Sequence, residues 1–324
     1  MTPRARVLAV VAAVAAVAVA AVVSVTWLQT RGETTTAPGA VTHPRSGIPP
    51  LLFDFGTRND AEVRALSRGA QLLRSGKKGQ AATIFARYHS LEAQLGTAFA
   101  TWPNGSLDAV KQLVAEHPQS PVAQLHLALA LYWSGRSADA VKAFQQVDSR
   151  FPDSPSAVDA EDILYASRFV PGLPYLLLPV RLPDEPTLSA QLDRAKLLAR
   201  RPSVQGKVAY GVMLWRLDRR VSARRQFDAA AKLAPDDPAV LTADAVSYFT
   251  KKNPTAAFSR LGPLTGRYPK AAVVRLHLGL LLIWEKQVQK GVAQLRLAAA
   301  DAPGSLYATQ AEKLISALVP NGTK

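Results

Sequence analysis

The sequence predicts an all-α protein, a solenoid of about seven helix-turn-helix repeats behind an N-terminal transmembrane helix. Three observations carry that expectation. Prolines recur 34 residues apart, at Pro118 and Pro152 and again at Pro235, Pro269 and Pro303, and a fixed period of that length marks a repeat array. Between these prolines, apolar residues recur at helical spacing in paired runs broken by short turns. Finally, the run from Val7 to Leu28 contains no charge, proline or glycine.

Composition sets the bounds. With 324 residues, 48% of them apolar, the chain can bury a large core. It has no cysteine, which excludes disulfides, thiolate zinc sites and a cysteine nucleophile. The formal net charge is +15, and it is unevenly placed. Residues 53–160 hold 11 Lys/Arg against 10 Asp/Glu, whereas residues 161–324 hold 24 against 13. The distal half therefore carries the field.

Taken in order, residues 1–6 form a short cytoplasmic N-terminus bearing Arg4 and Arg6. Residues 7–28 follow as a signal-anchor helix, about 33 Å long and enough to cross a bilayer core. Trp27 sits where an interfacial aromatic belongs, and the charge bias puts the N-terminus inside and residues 29–324 outside. Cleavage as a signal peptide is the alternative, since "AVAA" offers small residues, although the apolar run is long for that role. Residues 29–52, rich in Thr, Pro and Gly, read as an irregular stalk reaching about 25–70 Å.

The solenoid spans 53–305. One unit reads "PVAQLHLALALYWSGRSADAVKAFQQVDSRFP", Pro121 to Pro152: an apolar helix, a turn at Gly135, a second helix and a closing proline. Ala128 and Ala140 are small where two helices cross, and Phe144 fills the space between hairpins. The same slots recur at Gly211, Ala223, Phe227, Ala230 and Pro235, at Ala245, Tyr248, Ala257, Leu261 and Pro269, and at Gly279, Leu282, Leu295, Ala298 and Pro303. An earlier copy supplies Gly69, Leu72, Gly76, Ala81 and Phe85. This pattern resembles the tetratricopeptide repeat family, of a membrane-anchored bacterial envelope type. The resemblance implies a right-handed superhelix with a concave side, and residues 306–324 read as a capping helix and tail.

In that family the first helix of each hairpin lines the concave side. Carried over, the candidate groove holds Tyr132, Trp133, Trp215, Phe249 and Trp284, with Leu129, Val212 and Leu280 further back on the same faces. Two readings stay open: these side chains pack between hairpins, or they form a groove that receives an apolar segment.

One stretch breaks the pattern. Pro152 and Pro235 are 83 residues apart, two periods and 15 more. The excess is an insertion at 170–186, "PGLPYLLLPVRLPDEP" at its core, with a proline density no helix tolerates. Its candidate contact residues are Leu173, Tyr175, Leu176, Leu177 and Leu178, and Val170, Val180 and Leu182 add to the apolar load. So much apolar surface needs covering. Three covers are open: the array's own concave side, a docking strand's partner, or the bilayer. The helical runs on either side are expected to be two halves of a split hairpin.

No catalytic constellation, metal set or phosphate loop appears, and no cofactor is expected. His126 and His277 occupy the same place in two repeats, in "QLHLALALYW" and "RLHLGLLLIW"; with no acid or metal partner nearby in sequence, they read as structural. A basic cluster at Arg216, Arg220, Arg224 and Arg225, with Lys251 and Lys252 one repeat later, is either a solvated outer face or a patch for an anionic partner. That partner would be an acidic protein, anionic lipid or an envelope polymer; nucleic acid is not expected.

The expected function is a membrane-anchored, non-enzymatic scaffold or adaptor for protein–protein contacts at the extracytoplasmic face. The alternative is an accessory factor of an envelope enzyme or assembly machinery, such as cytochrome maturation or a cell-wall complex, or a binder of anionic envelope polymer. The Ala/Val/Arg-rich composition resembles that of high-GC bacteria, which places the setting in a bacterial cell envelope.

Overall fold

A computed structural model describes residues 46–168 and 175–319. The anchor segment at 7–28, most of the stalk, and Val170 and Leu173 of the insertion lie outside the described residues. Among the described residues, no helix is long and apolar enough to cross a membrane.

Fifteen α-helices and no strand make up the described residues. The first half contains α1 (Ala61–Arg74), α2 (Lys78–Phe85), α3 (Leu91–Ala100), α4 (Ser106–Glu116), α5 (Pro121–Trp133), α6 (Ser137–Arg150) and α7 (Pro155–Leu164). The second contains α8 (Leu188–Ala199), α9 (Val204–Arg216), α10 (Arg220–Leu233), α11 (Pro238–Ser247), α12 (Thr255–Arg267), α13 (Ala272–Trp284), α14 (Val288–Asp301) and α15 (Leu306–Leu318).

Local chemistry sets where these helices start and stop. Asp60, Ser90, Ser120, Ser203 and Asp237 cap the first helices of five hairpins, each side chain accepting a backbone N–H of the first turn. Pro121 and Pro238 occupy first-turn positions where a missing N–H costs nothing. The second helices of four hairpins begin without such caps, directly after a tight turn. That turn needs one left-handed residue. Gly76 and Gly135 supply it in the first half; Asp218 (φ 52°) and Lys286 (φ 64°) take the same place in the second. In each case the next amide bonds back five residues, as from Arg136 to Leu131 and from Gln287 to Leu282, closing the preceding helix.

Hairpins interlock through small and large residues at fixed slots. A Cβ on Gly69 or Gly96 would lie 2.6 or 2.5 Å from the Phe85 ring, and one on Gly211 would lie 2.6 Å from Phe227. Phe85, Phe144 and Phe227 are fully buried in those slots. First helices stack on first helices, α1 on α3 on α5 on α7, and α11 on α13 on α15.

The array differs from the expected seven hairpins at its middle. α7 packs on α5 and α6, capping the first three hairpins, while α8 packs on α9. The two do not pair with each other as a hairpin. The insertion between them thus joins two three-hairpin halves, and each half ends on a single helix, α7 or α15.

Candidate functional site

Two extended segments lie along the stacked first helices, one in each half. The second, Tyr175–Leu182, belongs to the described part of the insertion, 175–186. Its centre is Leu177, whose side chain is buried in one cluster with Leu276, Leu280 and Leu314. Tyr175, Leu176 and Leu178 pack against the cluster holding Phe249 and Trp284. Leu176, Leu178, Val180 and Leu182 also pack against the cluster of Val208, Val212 and Phe227, alongside Trp215. The segment therefore straps the second half from α13 back to α9.

One side chain reads the backbone of this strap. His277 is buried on α13, and its Nε2 accepts the N–H of Leu177 at 3.0 Å. Its Nδ1 lies 2.7 Å from the carbonyl of Val273 one turn earlier. Those two bonds fix the neutral tautomer with the proton on Nδ1. Burial pushes the imidazole down to about 4.

The first half repeats the device. His126 on α5 sets Nδ1 against the Val122 carbonyl at 2.7 Å and accepts the N–H of Leu52 on Nε2 at 3.3 Å. It too is buried and pushed down to about 4. Its strap is Ile48–Phe55. Leu51 is buried in the first-half core, and Ile48, Leu52, Phe53 and Phe55 pack against that core. The Phe53 ring stacks on His126 at 5.7 Å and meets the edge of Phe85 at 6.5 Å. Residues 48–52, read from the sequence as the end of a spacer, are thus part of the folded body. Five large apolar side chains beside two prolines in 48–55 carry that signal, but the run is too short to show a period.

The candidate groove residues divide between the halves. Leu129 and Tyr132 are buried in the first-half core, and Trp133 packs on it with its ring against Tyr132 at 5.3 Å. Val212, Leu280, Phe249 and Trp284 are buried in the second half, where Phe249 and Trp284 meet at 4.2 Å. Trp215 is half-buried against Phe227. The aromatic residues form two groups, each beside its own strap.

A seam joins the halves, and it is charged. Asp153, just before α7, accepts the N–H of Ser222 at 2.8 Å and also its hydroxyl, so a carboxylate from one half caps α10 in the other. Arg219 donates to the Asp153 carbonyl and, at 2.7 Å, to Asp54 of the first strap. Lys251 is 2% exposed; its ammonium pairs with Asp162 and its N–H points to Glu161 at 3.4 Å. Lys252 lies 3.9 Å from Asp148. Burial raises Asp159 to about 6, with Asp218 and Asp54 adding repulsion. It also raises Glu161 and Asp148. Burial lowers Lys251, while Glu161 and Asp159 pull it back up.

Much of the sequence-predicted basic patch is therefore engaged within the chain. Arg220 bonds to Asp218 at 3.2 Å and lies 5.2 Å from the Trp215 ring. Arg224 donates to the Ser247 carbonyl at 3.0 Å and lies over Tyr248 at 4.7 Å. Arg216 is exposed at the end of α9. Arg225 and Lys252 face solvent. Sequence reasoning missed the acidic counterpart because the carboxylates of α7, Asp159, Glu161 and Asp162, lie far from these cations in the chain, and only the fold brings Asp162 to Lys251.

Residues 103–160 match the tetratricopeptide repeat family model. No curated protein matches the chain. Among solved structures, it is similar to a tetratricopeptide repeat protein from Parabacteroides merdae, with 10% identity over 79% of this chain and 98% of that one and a TM-score of 0.33. Yeast Tom70 is 13% identical over 83% of this chain, with a TM-score of 0.31, and the match spans 66% of that protein. Cut9–Hcn1 from the APC/C hetero-tetramer is 15% identical over 79% of this chain and 55% of that one, with a TM-score of 0.29.

Proposed function

We propose that this protein is a non-enzymatic scaffold or adaptor for protein–protein contacts, anchored through residues 7–28 with its helical array on the extracytoplasmic face of a cell membrane. One observation supports the scaffold reading above the others. In each half the stacked first helices hold an extended apolar segment by one backbone N–H and several apolar side chains. A surface that reads backbone and shape is suited to binding extended protein segments. The tetratricopeptide match over 103–160 points the same way. In this reading the groove residues Leu129, Tyr132, Trp133, Val212, Trp215, Phe249, Leu280 and Trp284 support the bound segment. Service to an envelope enzyme or assembly machine is the same activity with a particular client.

Two experiments on the full chain in its native cells test the proposal. Protease added to wall-stripped cells should digest the array while a cytoplasmic control survives; an array that persists beside a digested external control overturns the orientation. Crosslinking in the same cells should capture a defined protein client, and Asp153→Ala should reduce its recovery. Recovery of only this chain's own fragments overturns the adaptor reading.

A further inference from the structure

A run of positive charge without acids starts on α8 and continues just past its end. From Arg194 to Lys207 the chain has five cations, Arg194, Lys196, Arg200, Arg201 and Lys207, and no acid. Lys207 bonds to the Ala199 carbonyl at 3.0 Å, which closes the end of α8. The other four are exposed, and none takes part in an ion pair among the described residues.

The helix is also packed on one side only. Ala195 and Ala199 are buried toward α9, and α7, its neighbour in sequence, belongs to the other half. At 100° per residue, Leu197 is centred on the outward face opposite Ala195 and Ala199, with Asp193 and Arg194 beside it, and Arg200 and Arg201 follow directly after the last residue of the helix. It is 48% exposed, the highest among the exposed large apolar residues. An outward leucine ringed by three arginines and one aspartate is a small amphipathic face of net positive charge.

We propose that this face of α8 binds the surface of a bilayer rich in anionic headgroups, with Arg194, Lys196, Arg200 and Arg201 at the phosphates and Leu197 entering the interfacial layer. Charge complementarity favours that occupant. Arginine presents a planar fork of donors suited to phosphate oxygens, and each cation near an anionic surface adds about a factor of five to binding. A basic amphipathic helix with an apolar residue between its cations matches a headgroup layer, which is charged outside and apolar beneath. The inference extends the anchored reading but does not require it.

The absence of cysteine allows a direct test. Ser189→Cys on exposed α8 and Ser259→Cys on exposed α12 each give one labelling site. The full chain, labelled with a fluorophore, is reconstituted into vesicles of phosphatidylcholine alone or with phosphatidylglycerol, both carrying a headgroup-linked quencher. The expected result is quenching at position 189 in the anionic vesicles only. It should be lost in 0.5 M salt, and weakened more than tenfold by Arg200→Glu with Arg201→Glu, which leaves the melting temperature unchanged because both side chains are exposed. The same quenching in neutral vesicles, or equal quenching at 189 and 259, overturns the proposal. A chain that fails to float with neutral vesicles counts against the anchor. Quenching at 189 in anionic vesicles under that outcome still supports the α8 contact.

Discussion

His277 accepts the backbone N–H of Leu177 at 3.0 Å, although 100 residues separate them in sequence. The imidazole is committed at both ends, to the strap through Nε2 and to the Val273 carbonyl through Nδ1. His277→Phe keeps a flat aromatic ring, somewhat larger than imidazole, and removes the acceptor, leaving the Leu177 N–H buried without a partner. The expected cost is about 1–3 kcal/mol, read as a lower urea midpoint, with faster hydrogen exchange at the Leu177 amide. His126→Phe should cost less, since its bond to Leu52 is longer, at 3.3 Å, and only part-buried. Unchanged exchange at Leu177 in the His277→Phe variant would falsify the clamp.

Acid should release both straps. Each histidine falls from an ordinary 6.5 to about 4 on folding. Above about pH 6.5 both states are neutral and nothing is lost. Below it the unfolded chain takes up protons that the folded chain refuses, so stability declines toward pH 4, by at most about 3 kcal/mol per histidine. Asp159 works in the opposite sense: raised from 3.8 to about 6, it holds its proton in the folded state and favours folding as the pH falls toward 4. Stability measured from pH 7.5 to 4 should therefore decline less steeply in the double variant His126→Phe, His277→Phe, and more steeply in Asp159→Asn. Three parallel curves would sink this account.

Asp153 ties the halves together through α10. Asp153→Ala removes the acceptor for the Ser222 N–H and hydroxyl, at a cost of about 1–2 kcal/mol for a lost cap. Because the cap spans the seam, the halves should also loosen. Calorimetry is expected to resolve two transitions in place of one, and small-angle scattering a larger radius of gyration. A single unshifted transition would mean that other seam contacts suffice.

Lys251 and Asp162 form a pair whose members do not tolerate separation. Lys251→Met alone leaves carboxylates buried without their cation, and the expected loss is about 3–5 kcal/mol. Adding Asp162→Asn should recover part of it, because the second change removes the uncompensated charge. A double-mutant cycle on thermal stability measures the recovery, and strict additivity would show that the two side chains do not interact.

The strap's leucines carry its burial. Leu176→Ser, Leu177→Ser and Leu178→Ser together should destabilise the second half by several kcal/mol, at about 1.5–3 kcal/mol for each fully buried leucine. Of the three only Leu177 is buried, the other two being half-buried, so Leu177→Ser alone should account for the largest share. An unaltered unfolding midpoint in the triple variant would place the strap off the array.

The sequence by itself determined the repeating unit. Helix periodicity, capping and tight turns are all decided within four or five residues, so Ser120 and Pro121 at the start of α5, Gly135 at its turn and Phe144 in its slot are legible from their spacing. The apolar load of "YLLLPVRL" was legible too, as surface that had to be covered. Only the tertiary structure decided what covered it. A strap has no period of its own, and its choice of groove rests on one amide–imidazole bond and the shape that three stacked hairpins create. The same holds for Ile48–Phe55, whose eight residues resemble the end of a spacer until His126 and Phe85 are brought beside them. Arg216, Arg220, Arg224 and Arg225, with Lys251 and Lys252, looked like a patch awaiting an anionic partner, because their charges are close in sequence and recur one repeat later. Lys251 meets Asp162 of α7, Lys252 meets Asp148 of α6, and the neighbouring Arg219 meets Asp54 of the first strap; Coulomb attraction between groups 89–165 residues apart in the chain exists only once the two halves have folded and met.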